Sequence, residues 1–296
     1  QFNCFFVDKT PPETEKEYVG PFFSDDWVEW ISNKTNVTLS AEDPEPHPSG
    51  VNATYWRNTL VEDDRLCWDR ELCQGAQGSG NFNLYTGPFQ KREESCHLIE
   101  FYSIDNVGKN ESEINGLNKQ CVFVDTRAPN ITKIIGDPKS EWNGSDSQFY
   151  PEETEHCWDG TGNEIECWKV TLQTLITISC EDVGPHPVDH EGFWVTVDFD
   201  GDDVTEDYCD WPLGGNFDEE TGKCFLDGET EFRFKETSEH NLKVYCEDAL
   251  GNLAVDEEKF KVEGVPFRIN IFKKWNLISV PFVLLDNNIE EVLESI

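Results

Sequence analysis

The chain has 296 residues, 37% of them hydrophobic and 12% aromatic, enough to fill cores for about two domains. Sixty Asp and Glu against 23 Lys and Arg leave a net charge of -37, which argues against nucleic acid and anionic lipid as partners. That excess suits a solvated surface, a cation-rich medium or bound divalent ions.

Residues 1–12 contain CFFVDKTPP, Cys4–Pro12, which recurs as CVFVDTRAP at Cys121–Pro129. Two further blocks repeat in the same order. VTLSAEDPEPHPSG from Val37 returns as ITISCEDVGPHPVD from Ile176, and HLIEFYSIDNVGKN from His97 returns as HNLKVYCEDALGNL from His240. Such self-similarity marks tandem units. Each block alternates apolar and polar residues and stops at Gly, Pro, Asn or Asp, the pattern of half-buried strands joined by turns. Val37, Leu39 and Ala41 are expected on one face, and Phe193, Val195, Val197 and Phe199 repeat the pattern. Nothing reads as a long amphipathic helix.

These features predict an all-β chain of tandem immunoglobulin-like β-sandwich domains linked by disulfides. Residues 1–12 are expected to be the last strand of a preceding domain plus its linker. The first sandwich spans 13–126, and the second spans 127–264 with a Cys-rich insertion. Residues 265–296 begin a further, truncated, strand-rich unit. The Pro residues of KTPP and TRAP fix φ and make short stiff joints. With no Met and no signal-peptide pattern, the chain is expected to start partway through a longer protein.

Eleven cysteines without a CxxC pair read as disulfides rather than zinc or redox sites. Six N-x-S/T sequons, at Asn33, Asn36, Asn52, Asn110, Asn130 and Asn143, point the same way, to an extracellular or cell-surface location. No apolar stretch approaches the roughly 20 residues of a membrane span, so no direct membrane insertion is expected in this segment.

Comparing the two copies pairs the cysteines. Cys180 and Cys246 align with Ala41 and Ser103, so both appear together in the second copy and predict a bridge. Cys96 and Cys121 are lost together in the second copy, at about Glu239 and Lys259, and are paired for the same reason. Cys67–Cys73 and Cys209–Cys224 are expected to close small loops, each first Cys lying close to Trp68 or Trp211. Cys157–Cys167 brackets a turn-rich hairpin. Cys4 is left unpaired, its partner expected in an upstream copy, with a free or intermolecular thiol as the alternative. Trp194 lies between Cys180 and Cys246, an order that resembles the inter-sheet bridge and strand-C tryptophan of immunoglobulin domains.

No catalytic constellation emerges. Of the six His, only His186 and His190 stand four apart, and Pro185 and Pro187 forbid the helix that would align them. Ser49-Gly50 and Ser179 lack the strand-to-helix setting of a serine hydrolase, and GAQGSG at Gly75–Gly80 lacks the Lys of a phosphate loop. The acidic turns are the one site class with chemistry to offer. Asp198, Asp200, Asp202 and Asp203 supply hard oxygens suited to Ca2+, although the spacing fails as an EF-hand loop. Asp105 and Asp248 fall in the turn after the Tyr-bearing strand, where an Asx-turn is their simplest role. Glu42, Asp43, Glu181 and Asp182 end another strand at what is expected to be the same pole. Bound Ca2+ and solvated acidic turns are the two alternatives for these carboxylates.

The blocks FYSIDNVGKNE, CVFVDTRAPNITK and HNLKVYCEDALGN resemble the Ig-like repeats of large archaeal and bacterial secreted surface proteins, and KWNLISVPF resembles a motif of archaeal S-layer-like proteins. The resemblance implies a non-enzymatic structural or spacer segment, with neighbouring domains of the same chain and surface-layer subunits as partners. The alternatives are an adhesion module binding extracellular glycan or protein, and the non-catalytic region of a secreted hydrolase. A binding module would use exposed aromatics, for which Trp27, Trp30, Trp56, Trp68, Trp142, Trp168 and Trp211 are available.

Overall fold

The alternating segments of the first copy form nine strands: β1 (Glu13–Val19), β2 (Phe22–Asp25), β3 (Val28–Ile31), β4 (Asn36–Glu42), β5 (Val51–Val61), β6 (Asn83–Leu84), β7 (Phe89–Gln90), β8 (Ser95–Asp105) and β9 (Asn118–Val124). They make two sheets, ordered β1-β4-β7 and β2-β3-β9-β8-β5-β6. Val37 and Leu39 of β4 pack against Ile99, Phe101, Val122 and Val124 of the larger sheet, because period-two alternation turns those positions to one side. The helices are short: α1 (Arg65–Trp68), α2 (Arg70–Gly75) and α3 (Glu111–Ile114). The structure is a computed structural model and describes residues 4–136, 152–158, 164–188 and 192–264, without the side chains of 152–158 and 164–166.

The second copy adds β10 (Asn130–Ile135), β11 (Glu152–Trp158), β12 (Glu164–Thr171), β13 (Ile176–Glu181), β14 (Gly192–Phe199), β15 (Asp202–Asp203), β16 (Asn216–Asp218), β17 (Lys223–Phe225), β18 (Thr230–Phe232), β19 (Glu239–Glu247) and β20 (Leu253–Glu263), with α4 at Thr205–Tyr208. Its sheets run β10-β13-β18 and β11-β12-β20-β19-β14-β17-β16, with β15 paired to β14. In both copies one pair is parallel, β3 with β9 and β12 with β20. The core of this sandwich joins Ile176 and Ile178 to Phe193, Val195, Val197, Leu242, Val244 and Phe260. The chain is thus an all-β tandem of immunoglobulin-like sandwiches. The described residues up to Gly264 form one compact unit, and the further domain expected at 265–296 lies outside the described residues.

Two disulfides differ from expectation. Cys67 joins Cys96 and Cys73 joins Cys121, in place of Cys67–Cys73 and Cys96–Cys121. The register of β8 and β9 explains the difference: Cys121 stands opposite Leu98, and Cys96 opposite Phe123, so the two cysteines are offset along the ladder. The α1–α2 insertion lies over this stretch, and one buried cysteine from each helix reaches one strand. Cys209–Cys224 and the inter-sheet Cys180–Cys246 are present. Cys167 is disulfide-bonded, and the side chain of Cys157 lies outside the described residues. Cys4 is free and exposed.

Period two also corrects the role of Trp194. In the β14–β19 ladder Phe193 stands opposite Cys246, while Trp194 stands opposite Tyr245 on the other face. Phe193 enters the core. Trp194 stacks on Tyr245 at 5.3 Å with Lys223 4.0 Å above its ring. Glu239 and Lys259, the positions aligned with Cys96 and Cys121, are likewise out of register, since Glu239 pairs with Lys261 and Lys259 with Asn241.

Where the second copy uses Cys180–Cys246 to tie its sheets, the first uses a buried polar cluster. Thr14 of β1 donates its hydroxyl hydrogen to Glu111 at 2.6 Å, and the same oxygen accepts from the Ser103 hydroxyl of β8 at 2.8 Å. Glu111, almost fully buried, also accepts from the backbone N–H groups of Thr14 and Ser103 and from the Asn118 amide. Glu111→Ala strands two buried N–H donors and is expected to cost about 3 kcal/mol in urea unfolding. Glu111→Gln, which keeps an acceptor, is expected to lose less. Equal, small losses for both would show that the cluster does not tie the sheets.

Candidate functional site

The described residues place the most built-up chemistry at the joint between the sandwiches. β9 ends at Val124, and the linker Asp125–Pro129 leads into β10. Phe123 is fully buried; it stacks on Trp30 at 5.8 Å and meets Trp68 at 5.0 Å. From the second sandwich His186 stacks on Phe123 at 4.9 Å, while Val188 and Leu250 enter the same apolar cluster with Leu98 and the two cystines. Polar contacts close the rim. His186 Nε2 lies 3.2 Å from Asp64, and Arg127 donates to Glu94 and to the Gly184 carbonyl. The joint is therefore a packed interface, not a free hinge.

Three carboxylates meet beneath it: Asp125 after β9, Asp182 after β13 and Asp248 after β19, all buried, with ligand atoms within 4.8 Å of one another. Hydrogen bonds hold one oxygen of Asp125 and both oxygens of Asp182 and Asp248, the second oxygen of Asp248 accepting from the Asn252 side-chain amide. Asp125 accepts from Arg127, Asp182 from Val183 and Val188, and Asp248 from Leu250 and Asn252. Asp125 Oδ2 is buried with no partner. Burial first, and then the neighbouring Asp182, Asp248 and Glu94, push the Asp125 carboxyl up to about 7. At this spacing each pair of ionised carboxylates repels by a few kcal/mol in an effective dielectric near 20.

The N-terminal end of the first sandwich carries the same arrangement. Asp8, Asp43 and Asp105 have ligand atoms within 4.8 Å, and Phe6 meets His47 at 4.8 Å as Phe123 meets His186. Asp43 Oδ1 and Asp105 Oδ2 are buried without partners. What differs is the cover. Phe6 is 82% exposed where Phe123 is 0%, and Val107 is 59% exposed where its counterpart Leu250 is 4%.

Sequence reasoning found Asp105 and Asp248 and placed Asp43 and Asp182 at their pole, but missed Asp8 and Asp125. Their signal was the repeated Val-Asp before each Pro joint. The Asx-turns are present: Asp105 accepts from the N–H groups of Val107 and Lys109, as Asp248 does from Leu250 and Asn252. The other expected ligands are not gathered. Asp198, Asp200, Asp202 and Asp203 fan around a tight hairpin in which Asp198 faces Asp203 and Asp202 faces Phe199. Asp200, at the tip, accepts from the Ser238 hydroxyl and the Glu239 N–H, while Asp203 accepts from the Thr205 N–H.

The remaining candidates fall elsewhere. His97 and His240 are equivalent buried residues, each donating from Nε2 to the carbonyl four residues earlier, and burial holds both below the ordinary imidazole pKa. Trp30 is core, Trp56 lies flat on Phe89, and Trp27 and Trp168 are half-buried. Trp68 and Trp211 are exposed and belong to different sandwiches; Trp142, His190 and Asn143 lie outside the described residues. Asn33, Asn52 and Asn130 are exposed, and Asn36 and Asn110 half-buried. No described helix is long and apolar enough to cross a membrane.

No protein family matches the chain by sequence, and no curated protein does. Several solved structures align along its length. The fibronectin(III)-like modules of Clostridium thermocellum CbhA show 11% identity and a TM-score of 0.28, covering 85% of this chain and 100% of theirs. A Ca2+-stabilized adhesin of an Antarctic bacterium shows 12% identity and a TM-score of 0.30, covering 86% of this chain and 49% of its own. The C-terminal domain of the Streptococcus pyogenes antigen I/II-family protein AspA shows 11% identity and a TM-score of 0.31, covering 84% and 99%. Likenesses this low carry no argument about function.

Proposed function

We propose that the chain is a non-enzymatic spacer segment of a secreted or cell-surface protein, made of sandwiches locked end to end. The carrying observation is the joint, where Phe123, His186, Val188 and Leu250 share one buried cluster across the two sandwiches. A packed joint between tandem sandwiches suits a stalk. The disulfides fit an oxidising, extracellular setting. The uncovered Phe5, Phe6 and Val107 face repeats the covered one, which supports a further sandwich docking there, with Cys4 bridging to it as Cys121 bridges to Cys73. Surface-layer subunits fit as partners of such a stalk.

Small-angle scattering of the full chain tests this reading. One fixed arrangement of the two sandwiches is expected to reproduce the profile at every temperature below melting. A profile that only independently swinging sandwiches reproduce would overturn it. Retention on an extracellular glycan array, lost with Trp68→Ala or Trp211→Ala, would favour the binding-module alternative.

A further inference from the structure

We infer that both carboxylate triads are divalent-cation sites built for Ca2+, one at the joint between the sandwiches (Asp125, Asp182, Asp248) and one at the N-terminal joint (Asp8, Asp43, Asp105). Two independent features carry this beyond a cluster of acids. The first is the set of buried oxygens with no partner: Asp125 Oδ2, with its residue 1% exposed, Asp105 Oδ2 at 0% and Asp43 Oδ1 at 9%. A buried acceptor left bare is costly, and three of them converge on the two triads.

The second is duplication. The same three motif positions deliver the same three Asp in both copies, while nearby positions such as Ala41 and Cys180 have diverged. The neighbouring N–H bonds orient each carboxylate without neutralising it. Arg127, the one basic residue of its linker, is turned to Glu94 and the Gly184 carbonyl instead.

The donor chemistry selects the ion. All the gathered groups are hard carboxylate oxygens, with no His or Cys in either triad, which disfavours zinc and copper. The donors arrive from three separate chain segments at a joint. Ca2+ accepts six to eight oxygens in irregular geometry, whereas Mg2+ demands a near-ideal octahedron and keeps its waters. An ion there would cancel the repulsion among the Asp and tie the linker to two loops of the following sandwich. The ion sites stand whether or not the chain serves as a spacer.

The test is calcium titration of the full chain after chelation, followed by calorimetry and by melting. Two ions per chain are expected, with a rise of about 5–10 °C in melting temperature at saturating Ca2+. Asp125→Asn keeps the Arg127 bond and removes one charge. It is expected to leave one ion per chain, and in chelator to melt above the parent, an inversion that a merely structural Asp would not produce. Asp8→Asn is expected to remove the other ion. No binding by the parent, or two ions retained in Asp125→Asn, would overturn the inference. Loss of binding on Asp200→Asn instead would place the ion in the β14–β15 hairpin and overturn it equally. Failure here with an unchanged scattering profile in chelator leaves the spacer reading intact.

Discussion

Replacing both cysteines of either bridge in the first sandwich, Cys67 with Cys96 or Cys73 with Cys121, is expected to lower its stability by roughly 4 kcal/mol. The sequence separations are 29 and 48 residues, and loops of that size lose about this much denatured-state entropy when closed. All four sulfurs also lie in the apolar cluster that continues across the joint, so their loss opens packing as well. Marginal domains rarely have that much to spare. Urea unfolding of the double-serine variants gives the magnitude, and non-reducing peptide mapping gives the pairing. Recovery of Cys67 joined to Cys73 would contradict the arrangement of α1 and α2 over β8 and β9.

The second large effect separates two phenylalanines that occupy the same motif position. Phe123→Ala is expected to cost about 3–5 kcal/mol, because a fully buried ring contacting Trp30, Trp68 and His186 is deleted. Phe6→Ala, at an 82% exposed site, is expected to change stability by less than about 0.5 kcal/mol. Thermal melting of the two variants measures the contrast. Phe123→Ala is also expected to loosen the joint, seen as broader scattering from the folded chain. Similar losses for both variants would mean that the Phe123–His186 contact does not hold the sandwiches together.

Much of the architecture was legible because strands write themselves in period two. Val37 and Leu39, or Phe193, Val195 and Val197, announce both the element and its buried face, and their recurrence announces two copies. The pairing Cys180–Cys246 was legible for a related reason: both positions change together between copies. Cys67 and Cys73 were not, because they sit six residues apart and were read as the parallel of Cys209–Cys224, and spacing alone cannot tell a loop closed on itself from one stapled to a sheet. Trp194 misled because adjacent residues of a strand face opposite sides, so that an order of Cys, Trp and Cys fixes no direction.

The joint was only half legible. Asp105 and Asp248 stand in turns whose chemistry is local, and Asp43 and Asp182 follow strands that end at the same pole. Asp8 and Asp125 stand just before the Pro joints, Asp125 directly after β9 and Asp8 in a segment without strand structure, and nothing in the alternation of CFFVD or CVFVD states that either finishes beside the other two. Only the assembled sandwich brings linker and loops together. Asp198, Asp200, Asp202 and Asp203 show the converse: density in sequence is not convergence in space, since a hairpin spreads its carboxylates around the turn.

Backbone 15N relaxation of the full chain is the most direct test of a locked joint. A common rotational correlation time and a single diffusion tensor for residues of both sandwiches are the predicted result. Separate, shorter correlation times for 13–124 and 130–263 would show two sandwiches on a free hinge and would contradict the account.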